Sequence, residues 1–433
     1  MSQLILNFVK TVRGSPFIAS VTVLATGTVL AQAIRLFASP ILTRLYTPEA
    51  FGLFAAFMAF VVSLMPGVTG KYETALVLPK HDNKAIHIFG IAVWFSLVVF
   101  ALFLLFLLLF HELLLEKFNA PELEGWIFLA PFVLLFGGLF NLGQYVAIRT
   151  DNYQKMARSK IVMAISTVLI NILLGMLDVG FQGLLIGNLL GFVVAGIFLY
   201  FENFRKLAKT CFSGLRKKSV LARVYSDFPI YNASSGILDG ITVSLPVFFL
   251  SYYYPIEIVG YYALVMNVLI VPKRFLASAV SQVNLKKVVG FINTGQPVEP
   301  YLYRLSAGIL LLSLPPSVVL IAWGPEIFNF VFGEMWEEAG RFAQILAIAL
   351  AVKLVSSTLS SSLGATNNNR LGALWKTLAF ISTFMVLFLL SGREDIYTLL
   401  LALVLNDLAL YIFYYFLILK AVKNPKKLLG MGK

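Results

Sequence analysis

Long apolar runs follow one another along the whole chain, with only short polar connections between them. A helix needs about 20 mostly apolar residues to cross the hydrocarbon core of a bilayer, where every backbone polar group must be paired within the chain. The runs that satisfy this length are 17–38, 48–68, 85–108, 126–148, 161–178, 183–202, 229–250, 256–276, 303–323, 340–362, 373–391 and 396–419. The sequence therefore predicts an all-α integral membrane protein with about twelve transmembrane helices and no separate soluble domain.

The distribution of basic residues predicts how these spans are oriented. With a cytoplasmic N-terminus, the outer connections hold only four of the 34 Lys and Arg residues: Arg44, Lys117, Arg341 and Arg393. Two more lie within spans, and the rest fall on the inner segments and their rims. This positive-inside asymmetry predicts that both termini are cytoplasmic. It also accounts for the net charge of +13 without a nucleic-acid partner.

The most basic connection, 203–227, follows six spans and precedes six, and the sequence on its two sides is related. A shift of 208 residues places Tyr46, Glu49, Gly52, Ala55 and Met58 on Tyr254, Glu257, Gly260, Ala263 and Met266. A shift of 216 places Thr150, Asn152, Ala157, Lys160, Ser166 and Thr167 on Thr366, Asn368, Ala373, Lys376, Ser382 and Thr383. Because six spans return the chain to its starting side, these are predicted to be parallel repeats about a pseudo-two-fold axis along the membrane normal.

The repeat predicts the domain organisation. We expect an N-terminal six-helix lobe at 1–202, a basic cytoplasmic linker at 203–227, a C-terminal six-helix lobe at 228–420 and a basic cytoplasmic tail at 421–433. The start of the chain resembles a secretory signal. Since the repeat makes the first span the partner of the seventh, we expect 17–38 to be retained.

Charged residues within the predicted spans are candidates for a polar path, because a charge at membrane depth costs at least about 2.5–3.5 kcal/mol. They are Arg35, Asp239, Lys353 and Asp407. In the functional interpretation, the cations hold an anionic group and the acids hold a coupling ion. In the structural interpretation, they pair between the lobes or reach a nearby interface. A role in the lumen is favoured for Lys353 and Asp239, whereas both interpretations stay open for Arg35 and Asp407.

Basic residues at the predicted cytoplasmic ends of the spans are candidates for meeting a phosphate before it enters. They are Lys71, Arg149, Lys273 and Arg274. A metal site has no support, since Cys211 is the only cysteine and the three histidines form no cluster with it or with acids. The sequence holds no complete Walker loop and no nucleophile elbow. We therefore expect no enzymatic activity and no cofactor, and transport would draw on a proton or sodium gradient or on substrate supply.

Two stretches resemble a known family. Residues 38–52, ASPILTRLYTPEAFG, are similar to the opening of bacterial oligosaccharide flippases of the polysaccharide transport family. Residues 70–80, GKYETALVLPK, follow the second span as they do in that family. The resemblance extends through the spans and the two halves. It places the chain in the multidrug/oligosaccharidyl-lipid/polysaccharide exporter superfamily.

The resemblance implies a V-shaped pair of six-helix lobes in the bacterial inner membrane. It implies a flippase that turns undecaprenyl-pyrophosphate-linked oligosaccharide from the cytoplasmic to the periplasmic face by alternating access, for O-antigen, lipopolysaccharide or capsule biosynthesis. Membrane lipids, a polysaccharide polymerase and a chain-length regulator are the implied partners. Arg35 and Lys353 would then attract the pyrophosphate, and Asp239 and Asp407 would serve coupling. A multidrug or metabolite antiporter driven by a cation gradient is the alternative on the same scaffold, and a membrane glycosyltransferase or polymerase fits the short outer loops poorly.

Overall fold

The computed structural model describes residues 16–201 and 214–424, and the backbone alone at 16–22, 25, 215, 216, 271–279, 282 and 369. These described ranges are largely helical and contain no β-strand. We number their long helices α1 Pro16–Leu45, α2 Pro48–Leu64, α3 Asp82–Lys117, α4 Ala130–Arg149, α5 Tyr153–Met176, α6 Gln182–Tyr200, α7 Ser234–Tyr253, α8 Ile256–Thr294, α9 Glu299–Phe332, α10 Glu334–Ala365, α11 Asn369–Leu390 and α12 Ile396–Lys423.

The membrane character of the fold is confirmed. Among the described residues, 10 helical stretches are long and apolar enough to cross a membrane, and each overlaps one predicted span. The other two predicted spans, 17–38 and 256–276, fall in α1 and α8, where part of the side chains lies outside the description. The chain is thus an all-α, multi-pass membrane protein. The predicted orientation of its termini stays a prediction.

Two helices differ from their predicted spans in ways that affect the site. The fifth begins at Tyr153 and not near 161, because Asn152 caps it by accepting the backbone N–H of Lys155 at 3.0 Å. The tenth is segmented, since a 3₁₀ turn at Ala347–Ala349 separates two of its α-helical pieces. Lys353 lies in the piece that follows this turn, Leu350–Leu359.

A further helix, Leu215–Val224, lies within the connection that the sequence treated as a plain linker. We call it the linker helix. Its run of Arg, Lys, Leu and Ala favours helix formation, and its apolar residues Leu221 and Ala222 pack on a core cluster of α3 and α4. The hydroxyl of Tyr72 donates to the carbonyl of Ala222 at 3.3 Å. The described part of the connection is therefore anchored to the helices before it.

The described residues form two compact units. The first contains 16–46, 53–201 and 214–244, and the second contains 47–52 and 245–424. Contacts within the folded chain define these units, whereas the repeat defines the predicted lobes. The predicted lobe boundaries at 203 and 228 therefore stay predictions.

Within the second unit, the starts of α2 and α8 cross at two glycines. A Cβ on Gly260 would lie 2.8 Å from the carbonyl carbon of Pro48, and one on Gly52 would lie 2.9 Å from that of Ile256. The shift of 208 residues relates Gly52 to Gly260 and Pro48 to Ile256. The contact is thus reciprocal, as in an isologous interface. This is the geometry expected where two segments related by the predicted repeat meet.

Candidate functional site

Two of the predicted site residues form an ion pair in the second unit. The ammonium group of Lys353 on α10 donates to the carboxylate of Asp407 on α12. The Lys353 Nζ also lies 5.7 Å from the centre of the Tyr411 ring, within the range of a cation–π contact. The side chains are 26% and 25% exposed. The pairing that the structural interpretation allowed therefore occurs, but inside the second half of the chain and not between the lobes.

Hydrogen bonds from two neighbouring helices fix the rotation of α12 around this pair. The Ser356 hydroxyl on α10 donates to the carbonyl of Tyr411 at 2.8 Å. The Trp375 indole on α11 donates to the carbonyl of Leu410 at 3.0 Å. Both carbonyls lie on the turn that follows Asp407. The carboxylate is thereby held on the side of α12 that meets Lys353.

Asn406, which precedes Asp407 on α12, makes a second set of polar contacts. The Ser382 hydroxyl on α11 donates to the side-chain oxygen of Asn406, whose amide donates to the Thr383 hydroxyl at 3.4 Å. Ser382 and Thr383 are two of the residues that the shift of 216 relates to the first half. The polar centre of the second unit therefore extends from α10 across α12 to α11.

The first unit contains a cation that the sequence interpretation missed. Lys160 on α5 is partly buried, and its Nζ donates to the Thr28 hydroxyl on α1 at 3.1 Å. Among the described residues, no carboxylate pairs with it. Because α5 begins at Tyr153, Lys160 lies about 10 Å along the helix axis from its first residue. A span that begins at 161, as predicted, places Lys160 on the rim. Its match to Lys376 in the repeat was the signal that could have identified it.

Arg35 and Asp239 also belong to the first unit, and both are partly buried. Arg35 follows Thr28 by seven residues on α1, so it lies on the same face, two turns farther along. Asp239 lies on α7 beside Gly240, where a Cβ would meet the Ser63 carbonyl oxygen on α2 at 2.7 Å. Asp239 thus lies where α7 packs closely on α2. The roles predicted for both residues stay predictions.

Among the rim candidates, Arg149 binds the connection between α2 and α3. Its guanidinium group donates to the carbonyls of Leu76 at 3.0 Å and Pro79 at 2.8 Å, and to the Asp82 carboxylate at 2.8 Å. These contacts satisfy backbone acceptors that follow the short helix Tyr72–Ala75. Arg149 therefore holds this connection against the end of α4, and its predicted contact with a phosphate is untested.

Lys71 takes part in a compact polar cluster at the same end of the first unit. It has a left-handed backbone, with φ of 58°, and its Nζ lies 3.8 Å from the buried carboxylate of Glu73. The Thr69 hydroxyl donates to the other oxygen of that carboxylate. The side chains of Lys273 and Arg274 lie outside the described part of the structure. Their predicted roles therefore stay predictions.

Comparison with known sequences points to one family. The sequence model described as "Polysaccharide biosynthesis protein" matches residues 41–341. The chain is also 27% identical over 362 residues to the succinoglycan biosynthesis transport protein ExoT of Rhizobium meliloti (strain 1021). That alignment covers 79% of this chain and 68% of the relative.

Solved structures share the architecture. An inward-facing multidrug resistance MATE family transporter of the MOP superfamily matches with a TM-score of 0.70 and 13% identity, over 90% of this chain and 94% of its own. The lipid II flippase MurJ in its inward closed conformation matches with a TM-score of 0.69 and 14% identity, over 92% and 89%. A MOP superfamily transporter from Pyrococcus furiosus matches with a TM-score of 0.65 and 14% identity, over 97% of this chain and 99% of its own. At such identities these matches show that the chain has the MOP superfamily fold.

Proposed function

The chain belongs to the polysaccharide biosynthesis protein family, and on that premise we propose that it is a flippase for lipid-linked oligosaccharide. It would move undecaprenyl-pyrophosphate-linked units from the cytoplasmic to the periplasmic face of the bacterial inner membrane by alternating access. The names of a succinoglycan transport protein and of a lipid II flippase among the similar proteins support this class of substrate. The lipid tail would stay in the bilayer while the polar head crosses.

The observation that carries the proposal is the presence of partly buried lysines in membrane-type helices of both units: Lys160 in α5 and Lys353 in α10. A cation in hydrocarbon is costly, and a pyrophosphate is a group that cations bind through strong charge-assisted hydrogen bonds. Among the described residues Lys160 donates to a neutral hydroxyl and to no carboxylate, so an arriving phosphate would replace a weak contact. Arg35 would supply further positive charge from the same face of α1.

The second lysine offers a way to couple substrate binding to a cation. Asp407 offsets the charge of Lys353, so a phosphate has to compete with this carboxylate. A proton on Asp407 would remove the competition and free Lys353 for the phosphate. Loss of that proton would restore the ion pair and favour release, so the proton leaves on the side where the substrate leaves. This linkage sets the pH dependence of substrate binding and takes no energy from an inward proton gradient. A sodium ion at Asp407 would act in the same direction, and Asp239 is the second candidate for coupling.

Translocation by the full chain in proteoliposomes tests these assignments. The assay would follow a defined undecaprenyl-pyrophosphate-linked oligosaccharide as it becomes accessible on the opposite side of the vesicle. We expect Lys160→Gln and Lys353→Gln to lower the initial rate at least about tenfold, the factor that a loss of about 1.4 kcal/mol of binding to a charged group produces. Lys160→Arg should retain most of the rate.

Lys84→Gln is the matched control, because Lys84 is an exposed lysine in the first turn of α3 and the charge change is the same. Its rate should equal that of the unmodified chain. Melting temperatures in detergent would show that each variant is folded. Wild-type rates in folded Lys160→Gln and Lys353→Gln would contradict the assignment of both lysines.

The coupling role requires a separate test. Asp407→Asn resembles the protonated carboxyl, so the rate should lose its dependence on pH while substrate binding persists. Exchange of the two charges, Lys353→Asp with Asp407→Lys, should restore the melting temperature that each single substitution lowers. A pH dependence that is unchanged in Asp407→Asn would contradict coupling at this residue.

A further inference from the structure

A groove separate from the intramembrane lysines runs between α5 and α6 in the first unit. Its volume is about 630 Å³, which lies within the range of small-molecule binding pockets. On α5 it is lined by Lys155, Arg158 and Val162, at spacings of three and four residues. These spacings place the three side chains on one face of the helix. The groove therefore follows a single face of α5.

The opposite wall comes from α6 and is apolar. Val194, Ile197 and Phe201 line it, again with the spacing of one helix face. Because α4 ends and α5 begins at the end of the unit where α6 finishes, Phe201 lies at the same end as Lys155. The groove is thus basic at the end predicted to be cytoplasmic and apolar farther into the membrane.

The groove and the translocation site use different faces of α5. Arg158 and Lys160 are two residues apart, which rotates their side chains by about 200° around the helix axis. Lys160 contacts Thr28 on α1, whereas Arg158 is exposed and lines the groove. A ligand in the groove would therefore leave Lys160 in place.

We propose that this groove binds one anionic phospholipid of the surrounding bilayer. Its phosphate would contact Arg158 and Lys155, and an acyl chain would lie along Val162 and Val194. Basic pockets between helices at the cytoplasmic side of a membrane hold anionic headgroups in this way. The groove extends about 10 Å, or seven residues of helix, within the roughly 15 Å of one leaflet of hydrocarbon. It can therefore hold the headgroup and the upper acyl chain of a lipid from one leaflet, and its two basic side chains favour an anionic headgroup.

Native mass spectrometry of the intact chain in detergent tests the proposal. Phosphatidylglycerol would be titrated against phosphatidylcholine, and the occupancy of the first lipid adduct would be measured. Arg158→Gln and Lys155→Gln should each lower phosphatidylglycerol occupancy about fivefold, in line with the effect of one basic residue near an anionic headgroup. Val194→Trp, which fills the apolar part, should lower it without any change of charge. Lys84→Gln should leave it unchanged.

The result that would overturn the proposal is equal occupancy in wild type, Arg158→Gln and Val194→Trp. Phosphatidylcholine adducts as abundant as those of phosphatidylglycerol would also overturn it, because the basic residues would then select nothing. So would displacement of phosphatidylglycerol by an equimolar polyprenyl phosphate, which would assign the groove to the substrate tail. Failure of the flippase assay in the unmodified chain is a separate result that leaves this site standing.

Discussion

The crossing of α2 and α8 allows a quantitative prediction from a single methyl group. In Gly260→Ala, the added Cβ would lie 2.8 Å from the carbonyl carbon of Pro48. The Pro48 carbonyl oxygen lies nearer still, and non-bonded carbon atoms are most favourable at about 3.5–4.0 Å, so one helix start has to move by at least about 1 Å. Such overpacking typically costs about 1–3 kcal/mol. We expect a lower melting temperature for the full chain in detergent, and an equal effect in Gly52→Ala because the contact is reciprocal.

The chain supplies matched controls for this experiment. Gly290 on α8 and Gly308 on α9 have nothing within 4 Å of an added Cβ. Alanine is favoured over glycine inside a helix by up to about 1 kcal/mol, so Gly290→Ala and Gly308→Ala should keep or raise the melting temperature. Unchanged melting in both Gly52→Ala and Gly260→Ala would refute the close crossing. An equal loss in all four variants would show that the crossing is not its cause.

Three other predictions concern single contacts. The Thr398 hydroxyl and the backbone N–H groups of Thr398 and Tyr397 lower the pKa of Asp395, so its contribution to stability is present above its ordinary pKa of about 3.9 and is lost as the pH falls. The melting temperatures of wild type and Asp395→Asn should therefore converge as the pH falls from that value through the lowered pKa of the folded chain, and a constant difference would contradict this. Arg149→Gln should destabilise the connection 76–82 by about 2 kcal/mol and increase its cleavage by protease, which an unchanged digest would contradict. Tyr46→Phe removes the buried hydrogen bond to the Asn171 carbonyl and should cost about 1 kcal/mol, visible as lower melting.

The helical membrane fold could be predicted because its cause is local. A run of about 20 apolar residues can cross the hydrocarbon with all its backbone polar groups hydrogen-bonded within the run only as a helix. The distribution of apolar residues along the chain is therefore sufficient to predict the spans. The segmentation of α10 was not visible in that pattern, because the 3₁₀ turn Ala347–Ala349 is as apolar as the helix around it. The linker helix was also missed. Its packing on the α3 and α4 cluster depends on residues far away in the sequence.

The candidate site was harder to predict, because it depends on helix rotation. Lys353 and Asp407 could be identified as costly charges, but their pairing requires the relative rotation of α10 and α12. That rotation is fixed by contacts such as the one from Ser356 to the Tyr411 carbonyl, and neither residue stands out in the sequence. Lys160 was missed for a different reason. The first two turns of α5 are polar, so the apolar pattern placed the start of the span at 161. Lys160, which lies inside the helix, was therefore assigned to the rim.

A comparison of two cargoes in the same proteoliposomes distinguishes a flippase for lipid-linked oligosaccharide from a drug antiporter. Reconstituted full-length chain would be offered an undecaprenyl-pyrophosphate-linked oligosaccharide in one sample and a cationic drug under an imposed proton or sodium gradient in another. We expect translocation of the lipid-linked oligosaccharide, slowed in Lys160→Gln, and drug movement no faster than in protein-free vesicles. Gradient-driven drug transport without translocation of the oligosaccharide would show that the chain is an antiporter and not a flippase.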